Sequence, residues 1–373
     1  MYQNGHPCGW VEHVSDTGVV YFTTGEDCDV PPMPEDLLDC ALYVYGSVED
    51  ADQGTASGGS GFLVGVHTAV VEPPQRKMIF LHLYAVTNWH VILGVGQSPV
   101  LRLNTRARGR DILKTQRADW KQHPQGDDLA ITSITLSVES HQFNFLEPQR
   151  FLKKERMYEV APGTETVMVG RFISHDGRQR NLPSLRFGNI AMMPLEPIRH
   201  PGGFMQESFL VETRSLSGYS GSPVFAYTQI AGEEAQPRSQ SRFHAPPAVR
   251  TYGLFFIGVD WGHLPNYEKV LTRDKKTPVS PAEWVPMNSG MCGVVPAWRL
   301  AELLEDEEVK MKREQEDKKL SAEKNRAVMV LDSSTGSVIQ KGHQTTADGL
   351  EIPVPTKKQF FDDLNKVNRR KKD

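Results

Sequence analysis

The sequence predicts an all-β fold of two similar units, closed by a helix and followed by a charged tail. Three observations carry this reading. Short β-branched and aromatic runs recur at regular intervals through the first two thirds of the chain, with Gly- and Pro-containing turns between them. At Leu300, Leu303 and Leu304 the apolar spacing switches to that of a helix. From Glu305 to Arg326 charged residues dominate and apolar positions are few.

Taken in order, residues 1–34 form an N-terminal extension or edge hairpin ending in Pro31-Pro32-Met33-Pro34. Ala41–Tyr45 reads as the first strand of the main body. A Gly/Ser-rich turn from Gly54 to Ser60 leads into Gly61–Val66, and Met78–Leu81 and Leu83–Thr87 follow. After a polar stretch near 139–160 the pattern resumes at Thr166–Gly170, Leu185–Ala191, Phe209–Thr213, Val224–Tyr227 and Tyr252–Val259. Residues 229–250 are too polar for a core and should form an exposed loop. On these grounds the boundaries are 35–150 for the first β unit, 151–296 for the second and 297–304 for a closing helix. A charged helix at 305–328 and a largely disordered tail at 329–373 follow. In that helix Glu308 with Lys312 and Glu314 with Lys318 stand four apart in the favourable order. A short amphipathic segment is expected near 357–367.

Composition narrows the function. The chain has 373 residues, 39% of them apolar, enough for a sizeable core. Its 42 basic and 46 acidic residues nearly balance. That balance argues against nucleic acid or a membrane surface as the main partner. The basic end, Arg369-Arg370-Lys371-Lys372, is short and lacks interleaved aromatics for base stacking. Four cysteines, Cys8, Cys28, Cys40 and Cys292, are irregularly spaced and form no disulfide framework. A metal site from His6, Cys8, His13 and Cys28 matches no standard ligand spacing, so neither metal nor cofactor is expected. The first residues have neither the basic start nor the apolar run of a secretory signal. A cytoplasmic protein is expected.

Three motifs carry chemistry, in the order His, Asp, Ser. Ala85-Val86-Thr87-Asn88-Trp89-His90-Val91 runs a strand straight into a histidine, and Asp127-Asp128-Leu129-Ala130-Ile131 puts acids at the head of a strand. Gly218-Tyr219-Ser220-Gly221-Ser222-Pro223-Val224 is a glycine-flanked serine. Each alone is weak. Together they resemble the trypsin/chymotrypsin-like serine peptidases, in particular their HtrA-like and glutamyl-endopeptidase-like branches. The stretch ending Gly188-Asn189-Ile190 and Gly258-Val259-Asp260-Trp261-Gly262 agree with that resemblance, which covers about residues 38–304.

The resemblance implies two packed six-stranded antiparallel β-barrels and a serine endopeptidase with His90, Asp128 and Ser220 as its triad. A serine hydroxyl needs a base within hydrogen-bond reach, and histidine suits that task near neutral pH. Asp128 is preferred over Asp127 because it directly precedes Leu-Ala-Ile, leaving Asp127 as a solvated neighbour. The amides of Gly218 and Ser220 would form the oxyanion hole. Tyr219 stands where relatives activated from zymogens carry an Asp, so activation of that kind is not expected.

Substrate contacts are implied at Arg214, Ser215, Asp260, Trp261, Gly262 and His263. An exposed Asp260 would favour a basic residue before the scissile bond, and an inward Arg214 an acidic one. The basic preference is slightly favoured. HtrA-like enzymes usually carry a PDZ domain after the protease, and the residues after Leu304 do not read as one. They offer instead a segment that could bind an activator or partner protein. The competing reading is a catalytically idle protease-like scaffold that works through this tail.

Overall fold

The computed structural model describes residues 11–14, 20–24, 35–54, 58–72, 76–213, 218–230, 250–270 and 284–322, with short strands within 329–353. Contacts divide the chain into two units, one of residues 1–66 and 83–306, the other of 67–82 and 307–373.

The first unit begins with a hairpin of β1 (Val11–Val14) and β2 (Val20–Thr24). Next come β3 (Ala41–Tyr45), α1 (Val48–Gln53), β4 (Gly59–Glu72), β5 (Arg76–Thr87) and α2 (Trp89–Val95). Then follow β6 (Val100–Asn104), β7 (Arg110–Lys114), β8 (Lys121–Gln122) and β9 (Ala130–Ile134). Strands β7, β6, β3, β4, β5, β9 and β8 pair in that order into a half-barrel sheet. Alternation gives the sheet an apolar inner face, where Leu42, Val44, Leu63, Ala85, Leu101, Leu103 and Ala130 form one core.

The second sheet is a closed barrel. It is built from β10 (Glu165–Gly170), β11 (Ser184–Met192), β14 (Phe209–Thr213), β15 (Pro223–Ile230), β16 (Arg250–Lys269) and β17 (Trp284–Pro296). The hydrogen-bonded ring runs β10-β11-β14-β17-β16-β15 and back to β10, every pairing antiparallel. A small hairpin of β12 (Ile198–Arg199) and β13 (Met205–Gln206) lies in the chain between β11 and β14. The barrel core gathers Met168, Ile190, Phe209, Val211, Val224, Ile257 and Val294. The N-terminal extension is tied in: β2 adds to β16 with Val20 opposite Leu254. The architecture is therefore the expected all-β double barrel, its first sheet a half-barrel and its second a closed one.

A buried polar cluster joins β3, β6 and the segment after β10. Arg171 Nε donates to Asp176 Oδ2 at 2.7 Å, and Tyr45 OH donates to the same oxygen at 3.1 Å. Arg102 Nε donates to Asn181 Oδ1 at 2.6 Å, and its guanidinium lies over the Tyr43 and Tyr45 rings. Both arginines are fully buried, and each has a carboxylate or carbonyl acceptor and an aromatic face, as buried cations need.

The closing helix α3 (Ala297–Leu304) appears as expected, with Leu300, Leu303 and Leu304 buried. In the second unit α4 (Glu307–Ala322) is the predicted charged helix, and Glu308 pairs with Lys312 at 2.9 Å. His82 is buried between two carboxylates of this helix. Its Nε2 lies 2.8 Å from Asp317 Oδ1, and its Nδ1 lies 3.2 Å from Glu316 Oε2. The tail expected to be disordered contains β18 (Met329–Leu331), β19 (Val338–Gln340), β20 (His343–Thr345) and β21 (Glu351–Pro353). β18 pairs with β19 and with Ile79, and β20 pairs with β21. The amphipathic segment at 357–367 and the interior of the loop expected at 229–250 lie outside the described residues. Among the described residues no helix is long and apolar enough to cross a membrane.

Candidate active site

The site starts with the way β5 ends. Asn88 leaves the strand in extended backbone and opens α2, so His90 sits on the first turn of a short helix. Asn88 is fully buried, and its Nδ2 donates to the Asp128 carbonyl at 2.8 Å. That bond fixes the loop before β9 against the end of β5. Asp128 then presents both carboxylate oxygens to one residue. Oδ1 accepts the His90 backbone N–H at 2.8 Å and Oδ2 faces His90 Nδ1 at 2.5 Å. The Asp128 amide donates to Gln206 Oε1 at 2.7 Å. Burial pushes this carboxyl up, but the contacts with His200 and His90 outweigh burial and hold it at about 2. A carboxylate ionised at neutral pH against Nδ1 leaves His90 Nε2 as the basic nitrogen. The His90 side chain is 42% exposed.

Ser220 lies in a loop shaped by two glycines. Gly218 has φ 101° and Gly221 φ 90°. A Cβ at Gly221 would stand 2.1 Å from the Ser60 carbonyl oxygen, so no side chain fits. Ser60 stitches this loop to β4. Its amide donates to the Ser220 carbonyl at 2.9 Å, and its hydroxyl donates to the Gly218 carbonyl at 2.7 Å. Thr87, three residues before His90, donates its hydroxyl to the Ser60 carbonyl at 2.7 Å. Gly59 is wedged in the same place: a Cβ there would meet the Ser220 carbonyl at 2.9 Å and Val91 at 3.0 Å. Residues 59 and 60 thus touch both the serine loop and the residues flanking His90, Thr87 and Val91. Among the described residues the Ser220 hydroxyl makes no hydrogen bond, and the amides of Gly218 and Ser220 have no acceptor.

The expected substrate residues divide. Arg214 and Ser215 lie outside the described residues. Gly262, at φ 135°, is half-buried beside Ser220, where a Cβ would come within 3.6 Å of Ser220 Oγ. His263 is half-buried and opposite Cys292 in the β16–β17 ladder. Trp261 is buried, donating Nε1–H to Ser208 Oγ at 3.1 Å.

Asp260 is fully buried, which removes the expected basis for a basic-residue preference. Its Oδ1 accepts the Gly262 amide at 3.2 Å. Burial pushes its carboxyl up to about 7, against the opposing pull of that amide, the Cys292 thiol and His90. The Cys292 thiol is itself pushed up by burial and by Asp260.

Asp127 also departs from its expected role. It is buried, accepts a short hydrogen bond from Arg299 Nε and lies 3.3 Å from His123 Nδ1. Its place is structural, anchoring α3 to the loop that carries Asp128. Ser60, Gln206 and His200 are site residues that sequence reasoning missed. The only local hint was the Gly/Ser-rich turn ending at Ser60.

Comparison with known proteins adds little to this geometry. No family model matches the chain, and no curated protein matches it. Among solved structures, the crystal structure of Deg5 is similar at 16% sequence identity with a TM-score of 0.34. The match covers 51% of this chain and 75% of that one.

Proposed function

We propose that the chain is a serine endopeptidase in which His90, Asp128 and Ser220 act as nucleophilic triad. The observation that carries this reading is the double engagement of Asp128 with His90, through the backbone N–H and Nδ1. It fixes the imidazole's orientation and its tautomer at once, which is what a general base beside a serine requires. In this reading Ser220 Oγ attacks the peptide carbonyl while His90 Nε2 takes its proton. The amides of Gly218 and Ser220 receive the developing oxyanion, at about 3–4 kcal/mol for a donor of this kind. His90 returns the proton to the leaving amine. Water, activated by the same nitrogen, then cleaves the acyl-enzyme. The missing contact from Ser220 Oγ to His90 does not oppose this, because such hydrogen bonds are often long until substrate binds.

The second reading is an idle scaffold that engages a partner protein through residues 305–373. What favours it is α4, whose side chains lie largely in solvent. The two readings part on turnover. A peptide library incubated with wild type and with Ser220→Ala should be cleaved by the first alone, and the sites should reveal the residue preferred before the scissile bond. Equal cleavage by both proteins, or by neither, would remove the endopeptidase reading.

A further inference from the structure

The hairpin of β12 and β13 places a second histidine against the same aspartate. His200 stands at its turn, where its amide donates to the Phe204 carbonyl at 2.8 Å and its carbonyl accepts from Gly203 at 2.9 Å. The side chain is 8% exposed, its ring stacked on Phe204 at 4.4 Å between centroids and packed on Trp261 at 4.5 Å. Its orientation is therefore fixed by two aromatic neighbours.

Hydrogen bonding also fixes its proton. The Gly202 backbone amide donates to His200 Nδ1 at 3.0 Å. A backbone amide can only donate, so Nδ1 offers its lone pair and the proton of the neutral ring sits on Nε2. That nitrogen is buried and lies 3.4 Å from Asp128 Oδ2, the oxygen that also faces His90 Nδ1. At this distance the approach is electrostatic, short of a full hydrogen bond, and no described residue gives Nε2 a better partner. From the same hairpin, Gln206 holds the Asp128 amide.

We infer that His200 is a positioning residue that acts through Asp128: its protonated Nε2, 3.4 Å from Oδ2, attracts that oxygen electrostatically and keeps both carboxylate oxygens turned toward His90. The inference rests on the endopeptidase reading for its consequence in turnover, but its structural half stands apart from it. His90, Asp128 and His200 also offer three ligand atoms within 4.8 Å of one another, which raises a metal as the alternative. A metal would need the lone pair of His200 Nε2. The proton would then move to Nδ1, where it would face the Gly202 N–H. The tautomer set by Gly202 favours the carboxylate.

The test uses the full-length chain with His200→Phe, which keeps the aromatic packing and loses the donor, and His200→Gln, which restores an N–H. Two quantities are read: the rate of labelling by a fluorophosphonate, and the downfield proton resonance of the short His90–Asp128 hydrogen bond. The Phe variant should label about 10- to 100-fold more slowly than wild type at an unchanged melting temperature. Its downfield resonance should broaden or vanish, and the Gln variant should recover part of both.

An unchanged rate and resonance in the Phe variant would overturn the inference and leave His200 as packing. If wild type does not label, the endopeptidase reading falls. The resonance still decides on His200, its loss in the Phe variant supporting the inference and its persistence overturning it. Should the Phe variant fail to fold, His200→Met supplies a second donor-free side chain, read by the same two criteria. Zinc binding to wild type that is lost in the Gln variant would overturn the assigned tautomer and the inference with it.

Discussion

Ser60 donates its backbone amide to the carbonyl of Ser220 at 2.9 Å. One residue of β4 thereby sets the height of the serine loop, and its hydroxyl, also accepting the Arg171 amide at 2.8 Å, sets the loop's far end. Both partners are backbone groups buried with it. Ser60→Ala should therefore cost about 1–3 kcal/mol, from the unsatisfied Gly218 carbonyl and Arg171 amide. Denaturant unfolding measures the loss. A melt indistinguishable from wild type would mean the loop is held elsewhere.

Adjacent aspartates should behave oppositely. Asp127→Asn weakens a buried pair with Arg299, and removing one partner of such a pair typically costs about 3 kcal/mol. The protein that remains folded should keep its reactivity. Asp128→Asn should melt less differently yet lower turnover about 10⁴-fold, because the amide no longer imposes the tautomer on His90. Turnover per folded molecule, measured for both variants, separates the roles; equal losses would contradict them.

The buried carboxyls of Asp128 and Asp260 predict opposite pH effects on stability. Asp128 is held at about 2, below its ordinary 3.8. An acid whose folded value is depressed contributes stability that is present above pH 3.8 and is lost as pH falls through about 2. Asp260 is raised from 3.8 to about 7. Its contribution is fully present below pH 3.8 and is lost as pH rises through about 7. Melting Asp260→Asn and wild type between pH 4 and pH 8 checks this: the variant's relative stability should improve with pH up to about 7 and then level off. A flat difference would mean that Asp260 is ionised at the same pH whether folded or not.

Much of this arrangement was legible in the sequence. Strand runs such as Thr166–Gly170 and Phe209–Thr213 alternate or bury as a barrel demands, and the helical spacing of Leu300, Leu303 and Leu304 marked α3. His90, Asp128 and Ser220 stand out in the sequence because each sits in a local pattern: a strand end, a strand start, a pair of glycines. Ser60 and His200 have no such pattern. Their roles come from chain neighbours 158 and 72 positions away, Gly218 and Asp128, and only the fold creates those contacts. The burial of Asp260 was not legible for a related reason. Its alternation partner Trp261 leaves the regular ladder at a bulge between Asp260 and Gly262, so the inward and outward faces could not be counted from sequence. The charge pattern marked α4 as a helix but not its tie to His82, whose ring lies between the Glu316 and Asp317 carboxylates.

That last contact can be broken alone. His82→Phe keeps bulk between β5 and its own surroundings but leaves the Asp317 carboxylate without its imidazole partner. Limited proteolysis within Glu307–Ala322 should accelerate about tenfold, in line with a loss of roughly 1.4 kcal/mol of local stability. An unchanged digestion pattern would show that other contacts fix the helix.

The most direct test of the central claim is mass mapping after treatment with a fluorophosphonate. A triad assembled from His90, Asp128 and Ser220 predicts one adduct, on the peptide that contains Ser220, absent from Ser220→Ala and lost or strongly slowed in His90→Ala. An adduct on another serine, or labelling that survives His90→Ala at the wild-type rate, would contradict the account.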